Sequence, residues 1–311
     1  MLRAVFYSAI LSICIGLSAC KQQERGEQLA ICFTGDVLLD RGVRQQIERT
    51  GIDYLFDDVK DIFKQSDAVV VNLECPVTKV VSPINKRFIF RGESEWLPAL
   101  RNAGVTHAVL ANNHSMDQGR EGLKDSYLHL SANEIVPLGY GYTQRQACEP
   151  VFISEGNVEV ALFSSVTLPL ENWVYLEDEP GVCQASVESI IASAKELKLQ
   201  KPDCYIVVIL HWGLEYQELP TPTQRIQGQA LIDNGVDAVI GHHPHVIQKE
   251  EIYKGRPIFY SLGNFVFDQQ KPPTRQSVIV RLLFDKSGFK FEKYPVDIKA
   301  CKPILMPDQD I

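Results

Sequence analysis

Five short polar motifs in this chain each follow an apolar, strand-like run: Gly35-Asp36, Asn72-Leu73-Glu74, Asn113-His114, His211-Trp212-Gly213 and Gly241-His242-His243-Pro244-His245. They hold five of the seven histidines, and only His107 and His129 lie elsewhere. Imidazole, carboxylate and amide oxygen, without thiolate, are donors that suit Zn, Mn, Fe or a similar divalent ion. One catalytic ion takes three or four protein ligands and keeps a position open. Six candidate donors therefore point to two ions that share a bridging carboxylate. Such a pair acidifies water and offsets charge on a phosphoryl oxygen, which is hydrolytic chemistry.

Taken singly, each motif has a bland alternative. Gly35-Asp36 can end a strand in a turn. Glu74, next to Cys75 and Pro76, can be a solvated loop acid. Asn112 and Asn113 can be turn residues, since Asn tolerates left-handed backbone. His211 can be a satisfied core histidine, and Trp212 a packing residue or a wall for substrate. His243-Pro244-His245 is the least bland, because two imidazoles two apart on an extended segment face the same way. His242 then faces the other way and reads as a support for the ligands. Arg87 and Arg91, between the second and third motifs, are surface charges or contacts for an anionic substrate.

The elements that must position these residues alternate along the chain. Strands are expected at 29–34, 68–71, 106–110, 158–164, 204–210, 238–240, 258–260 and 278–283, with 289–294 pairing with the last. Helices are expected near 41–50, at 94–103 closed by Gly104, and at 119–132, 185–197 and 223–234. Strand–loop–helix repeats argue for an α/β protein with helices outside, and the late hairpin argues for a mixed sheet. In such sheets ligands bind at the carboxyl ends of the strands, where all five motifs fall.

Composition narrows the class. The 311 residues carry 39 acidic and 31 basic side chains, a formal charge of −8. Nucleic-acid binding through a basic face is excluded, because no Lys/Arg cluster is present to meet a phosphate backbone. Residues 1–19 have the charge, apolar stretch and small-residue end of a signal peptide. Leu17-Ser18-Ala19-Cys20 resembles the lipobox of bacterial lipoproteins, which implies cleavage before Cys20 and a lipid on its sulfur. Lys21 after that cysteine favours the outer membrane in a Gram-negative cell. Residues 20–28 read as a tether, 29–300 as the domain, and 301–311 as a frayed tail. Of the remaining cysteines, Cys32, Cys75, Cys148, Cys183, Cys204 and Cys301 could form up to three disulfides outside the cytoplasm. Cys32 and Cys204 sit in apolar runs and read as buried thiols.

The motifs, in order, resemble the CapA-type poly-γ-glutamate capsule synthesis family of the calcineurin-like metallophosphoesterase superfamily. The matching segments are Gly35-Asp36-Val37, Asn72-Leu73-Glu74, Ala111 to His114 with Asp117 and Gly119, His211-Trp212-Gly213, His243-Pro244-His245, and Ser261-Leu262-Gly263-Asn264-Phe265. The resemblance implies a four-layer αββα sandwich with a dimetal crevice. It implies Asp36 on the first ion, Glu74 as the bridge, Asn113 on the second, and His211, His243 and His245 completing both shells. It gives His114 the role of general acid or transition-state stabiliser. Asn72, Asn112, Trp212, His242 and Asn264 are weaker candidates around that centre. One departure stands out: where the wider superfamily has Asp-x-His, this chain has Leu38 two residues after Asp36.

The function expected is that of an exported, lipid-anchored envelope protein of capsule or poly-γ-glutamate synthesis or export. It would face the periplasm, bind two divalent ions (Mn, Fe or Zn), and hydrolyse a phosphoester or related linkage. Its partners would be an anionic polymer or phosphoester, the membrane through the lipid, and capsule-synthesis machinery. The alternative is a non-catalytic polymer-binding accessory whose metal site is structural.

Overall fold

Successive side chains of the strand Leu29–Val37 enter different apolar cores, and this alternation sets the architecture. Leu29, Ile31 and Phe33 join one core, and Cys32 joins another. The strand Ala68–Leu73 repeats the pattern, with Val70 on the first side and Val69 and Val71 on the second. A strand buried on both faces must be apolar throughout, which is why these runs read as continuous rather than alternating.

The computed structural model describes residues 28–307. The expected signal peptide (1–19), Cys20 and the tether as far as residue 27 lie outside the described residues, as do residues 308–311. In the first sheet the strands run in the order 302–305, 288–299, 276–285, 29–37, 68–73, 107–109 and 136–138, with 264–266 also paired to 29–37. In the second the order is 251–253, 256–259, 238–242, 205–211, 158–166 and 151–155. The sheets pack face to face: Ile31, Phe33 and Val70 of the first meet Leu162, Val207, Ile209 and Ile240 of the second. Helices Arg41–Thr50, Leu97–Ala103 and Gly119–Ala132 cover the outer face of the first sheet through Val43, Leu100 and Leu123. Helices Val187–Gln200 and Pro222–Asp233 cover the second through Ile190, Ala194 and Leu231. The result is the expected four-layer αββα sandwich.

The expected hairpin is present: Gln276–Asp285 pairs antiparallel with Gly288–Lys299. The segment expected to be one helix from Ser94 opens instead with a 3-10 turn, Ser94–Trp96, before Leu97–Ala103. Gly104 closes it in left-handed backbone at φ 112°. The tail expected to fray from residue 301 is corrected more strongly. Lys302–Leu305 pairs antiparallel with Val296–Lys299 and forms the edge of the first sheet. Pro303 is tolerated there because an edge strand leaves one row of backbone donors unpaired. No helix among the described residues is long and apolar enough to cross a membrane.

One disulfide joins Cys148 to Cys183 across a separation of 35 residues. Cys32, Cys75, Cys204 and Cys301 are free and buried. Burial pushes the Cys32 thiol up to about 12 and those of Cys204 and Cys301 up to about 11. These four thiols should therefore not react with an aromatic disulfide reagent until the chain unfolds. Reducing Cys148–Cys183 should lower the unfolding free energy by about 3–4 kcal/mol, as loop closure of that length implies. Thiol titration and urea unfolding with and without reductant check both statements.

Candidate metal centre

Parallel pairing brings the polar motifs to one edge. Asp36 lies in register with Asn72 on one side and with Asn264 on the other. In the second sheet His211 lies in register with His242. Gly35 is required where these strands crowd: a Cβ there would stand 2.1 Å from the Gly263 carbonyl oxygen. Across the gap between sheets, the His242 ring donates from Nε2 to the Thr34 carbonyl at 2.9 Å. The ends of both sheets are thereby tied beneath the site.

Two groups of donors form there. Asp36, Glu74 and His245 make one, and Glu74, His211 and His243 make the other, each with ligand-type atoms within 4.8 Å of one another. Glu74 belongs to both. His211 Nε2 lies 3.6 Å from Glu74 Oε1 and 2.9 Å from Asn113 Oδ1. His245 Nδ1 lies 3.3 Å from Asp36 Oδ2, and its Nε2 lies 3.9 Å from Glu74 Oε1. Asp36 Oδ2 and both Glu74 oxygens are buried without a hydrogen-bond partner. Orphaned carboxylate oxygens in a protein interior are costly unless a cation meets them. The six residues named from the sequence are together, and either group could hold a divalent ion.

The electrostatics express the same demand. Burial, then the charge of Asp36, pushes the Glu74 carboxyl well above the usual range. Burial also acts to raise Asp36, but the close approach of His245 and the charge of the nearby imidazoles outweigh it and bring the carboxyl below the usual range. Burial acts to lower His245, but Glu74 and Asp36 overcome it and carry the ring up to about 9. Burial, followed by the neighbouring imidazoles, drives His211 well down, and His243 falls to about 3. His211 and His243 are thus neutral and have lone pairs to give. His245 is the cation that two carboxylates recruit for themselves, a task a divalent ion would take over.

Amides orient these groups. Asn72 donates from Nδ2 to Asp36 Oδ1 at 2.8 Å, and Asn112 donates to the Leu73 carbonyl at 2.9 Å and to Asn72 Oδ1 at 3.3 Å. The Asn264 amide nitrogen donates to the carbonyls of His245 and Thr274 and to Gln269 Oε1. Its oxygen therefore faces His245 Nδ1, 3.0 Å away, and accepts from it. Nδ1 therefore carries a proton, and Nε2, on the side of Glu74, is the atom that would give its lone pair to an ion once the ring is neutral.

His114 stands apart from both groups. Its Nδ1 is 2.7 Å from Asp117 Oδ2, and its ring stacks on Phe90 with centres 4.2 Å apart. Burial lowers its pKa, and Asp117 opposes that. Lys86 completes this corner, and sequence reasoning does not single it out. Its buried ammonium donates to Asp117 Oδ1 at 2.9 Å and to the Asn113 carbonyl at 2.6 Å, 3.3 Å from His114 Nδ1. A lone Lys in a polar loop has no signature, although an Asp at 117 beside a motif histidine implies a cation nearby.

Other expectations change. His243 and His245 do not lie on extended backbone: their φ values are 97° and 58°. They converge through left-handed turns on either side of Pro244, with ring centres 6.0 Å apart. Trp212 is buried, donates to the Tyr260 carbonyl at 2.9 Å, and packs in the outer core of the second sheet rather than lining the site. Arg91 is bound to Glu93 and the Thr78 carbonyl, and Arg87 is exposed over Phe88, so neither reaches the centre. Leu38 is wholly buried.

Comparisons with known proteins bear on the family and the fold. Residues 30–269 match the family model described as bacterial capsule synthesis protein PGA_cap. The PGA biosynthesis protein CapA of Bacillus subtilis (strain 168) is 36% identical over 279 residues, covering 88% of this chain and 73% of that protein. The capsule biosynthesis protein CapA of Bacillus anthracis is 32% identical over 290 residues, covering 91% and 70%. Among solved structures, the NAD nucleotidase NadN of Haemophilus influenzae superposes with a TM-score of 0.53 at 14% identity, over 87% of this chain and 50% of that one. A hypothetical protein from Thermus thermophilus gives 0.52 at 14% identity, over 86% and 99%. Likeness at that identity concerns the fold alone.

The Lys86–Asp117 pair is buried, at 5% and 0% side-chain exposure. Lys86→Met should lower the unfolding free energy by roughly 3–5 kcal/mol, because it strands a buried carboxylate. Arg87→Met, at an exposed position, should change it by less than about 0.5 kcal/mol. Urea unfolding of the two variants side by side checks the contrast.

Proposed function

The chain belongs to the bacterial capsule synthesis protein family, and from that membership we propose an envelope protein of poly-γ-glutamate or related capsule synthesis that carries a hydrolytic dimetal centre. The observation that carries the reading is Glu74: it is shared by two donor groups, and among the described residues neither oxygen has a hydrogen-bond partner. Asp36, Glu74 and His245 would hold one ion, and Glu74, His211, His243 and Asn113 the other. With oxygen and nitrogen donors and no sulfur, Mn, Fe and Zn all suit the site.

The chemistry that such ions supply is Lewis acidity, which acidifies water and offsets charge on a phosphoryl or carbonyl oxygen. The chain's own residues do the rest. Asn72 and Asn264 hold Asp36 and His245 in fixed orientation. Asp117 accepts from the Nδ1–H of His114, which leaves Nε2 as the atom that moves a proton to or from the leaving oxygen. A general acid so placed contributes about 10²–10⁴-fold in typical cases. Lys86 pairs with Asp117 and ties the His114 dyad to the backbone of Asn113. The substrate class is a phosphoester or a related linkage in an anionic polymer.

Export and lipidation at Cys20 complete the reading, with the domain at the periplasmic face. Outer-membrane placement is favoured in a Gram-negative host, beside the machinery of capsule synthesis. The Cys148–Cys183 bridge supports export, since disulfides persist in oxidising compartments.

Elemental analysis of the full chain, purified in detergent without chelator, should find about two transition-metal ions per chain. Glu74→Gln should abolish binding of both. In metal-free protein at neutral pH the same change should raise the melting temperature by about 2–4 °C, because it removes an acid whose ionisation burial and Asp36 oppose in the fold. A Glu74→Gln variant that keeps its metal, or melts lower when metal-free, would sink the assignment. Loss of metal with no effect on polymer-related activity would leave a structural site on a binding accessory.

A further inference from the structure

Among the described residues, one corner of the Arg41 guanidinium is anchored by a hydrogen bond. Its Nη2 donates to Asp268 Oδ1 at 2.5 Å, and the other Asp268 oxygen accepts from the Gly42 backbone N–H at 3.0 Å. Asp268 thus fixes one end of the fork and the start of the helix together. The guanidinium carbon lies 4.8 Å from the centre of the Phe90 ring and 5.4 Å from that of Phe267. Cation–π contact with both rings holds it in place. Nε is buried and has no partner, yet the side chain as a whole is 35% exposed. A guanidinium has five N–H donors, and here the protein engages one corner of them. The backbone at Arg41 is left-handed, with φ 53°, a conformation that a residue with a Cβ adopts at a cost.

Both rings lead to the metal centre. Phe90 stacks on His114 with centres 4.2 Å apart, and Phe267 lies 5.0 Å from the His245 ring. The guanidinium is therefore one ring removed from the proposed acid and one ring removed from a proposed ligand. Three other cations on this side of the site are committed elsewhere. Lys86 is bound to Asp117, Arg44 to Asp40 and Glu93, and Arg91 to Glu93. A chain with a formal charge of −8 needs a local cation to receive an anion.

We propose that Arg41 is a substrate-binding residue whose open edge takes a carboxylate or phosphoryl oxyanion beside the linkage to be cleaved. The inference deepens the hydrolytic reading above and rests on it. A planar fork with one corner already pinned matches the two oxygens of such a group, as an ammonium would not.

The test uses the full metal-loaded chain and two probes, glutarate for the carboxylate and inorganic phosphate for the phosphoryl group. Calorimetric titration compares the native chain with Arg41→Gln and Arg41→Lys. Arg41→Gln should weaken at least one probe by about tenfold or more, as loss of a charge-assisted pair implies. Arg41→Lys should recover part of that loss, and bound metal should stay at the native level in both. The probe that loses more identifies the oxyanion. Native-like affinity of both variants for both probes overturns the proposal, as does failure of the native chain to bind either. If Arg41→Gln does not fold, Arg41→Lys carries the test, with several-fold weakening expected and native affinity the contrary result. Arg41-dependent glutarate binding by a chain that holds no metal would remove the hydrolytic reading and keep the anion site, so the two fail separately.

Discussion

Two carboxylates cannot be buried against one another without a positive charge to hold them, and this constraint governs the molecule. Asp36 and Glu74 sit at the ends of adjacent parallel strands, wholly buried, in mutual repulsion. The surrounding structure makes the arrangement possible. Gly35 lets three strands close up around Asp36. Asn72 takes one Asp36 oxygen and leaves the other open. His245 is pressed into service as a cation. A core free to choose its residues would not keep such a pair, so the pair reads as a site whose stability is spent on binding.

The constraint also explains why both sheets are needed. The carboxylates come from the first sheet, and His211, His243 and His245 come from the second. Neither sheet holds a full donor set. The apolar layer between them, and the His242–Thr34 bond at its end, set the distance between acids and imidazoles. Small changes in the inter-sheet packing are therefore changes in the site, even where no polar residue is touched.

Much of this is legible in the chain, for a physical reason. Strands buried on both faces leave long apolar runs, and a polar residue just after such a run stands out, as Asp36, Glu74 and His211 do. The 14-residue helix Gly119–Ala132 is legible because its apolar spacing is helical. What cannot be read depends on contacts distant in sequence. Lys86 acquires meaning only beside Asp117, and Arg41 only between Phe90 and Phe267. Extended geometry would bring His243 and His245 together, yet two left-handed turns achieve it, and a Pro between them does not advertise those turns. The strand Lys302–Leu305 is hidden because its charged and ring-constrained leading residues look like a loop until an edge is available to pair with.

The direction of the first strand has a consequence of its own. Leu29 opens that strand and Asp36 stands near its end. At roughly 3.3 Å per residue, the strand begins about 23 Å from the candidate metal centre, at the opposite end of the sheet. A partner that docks near Leu29 therefore leaves the candidate cleft uncovered, at the far end of the same strand.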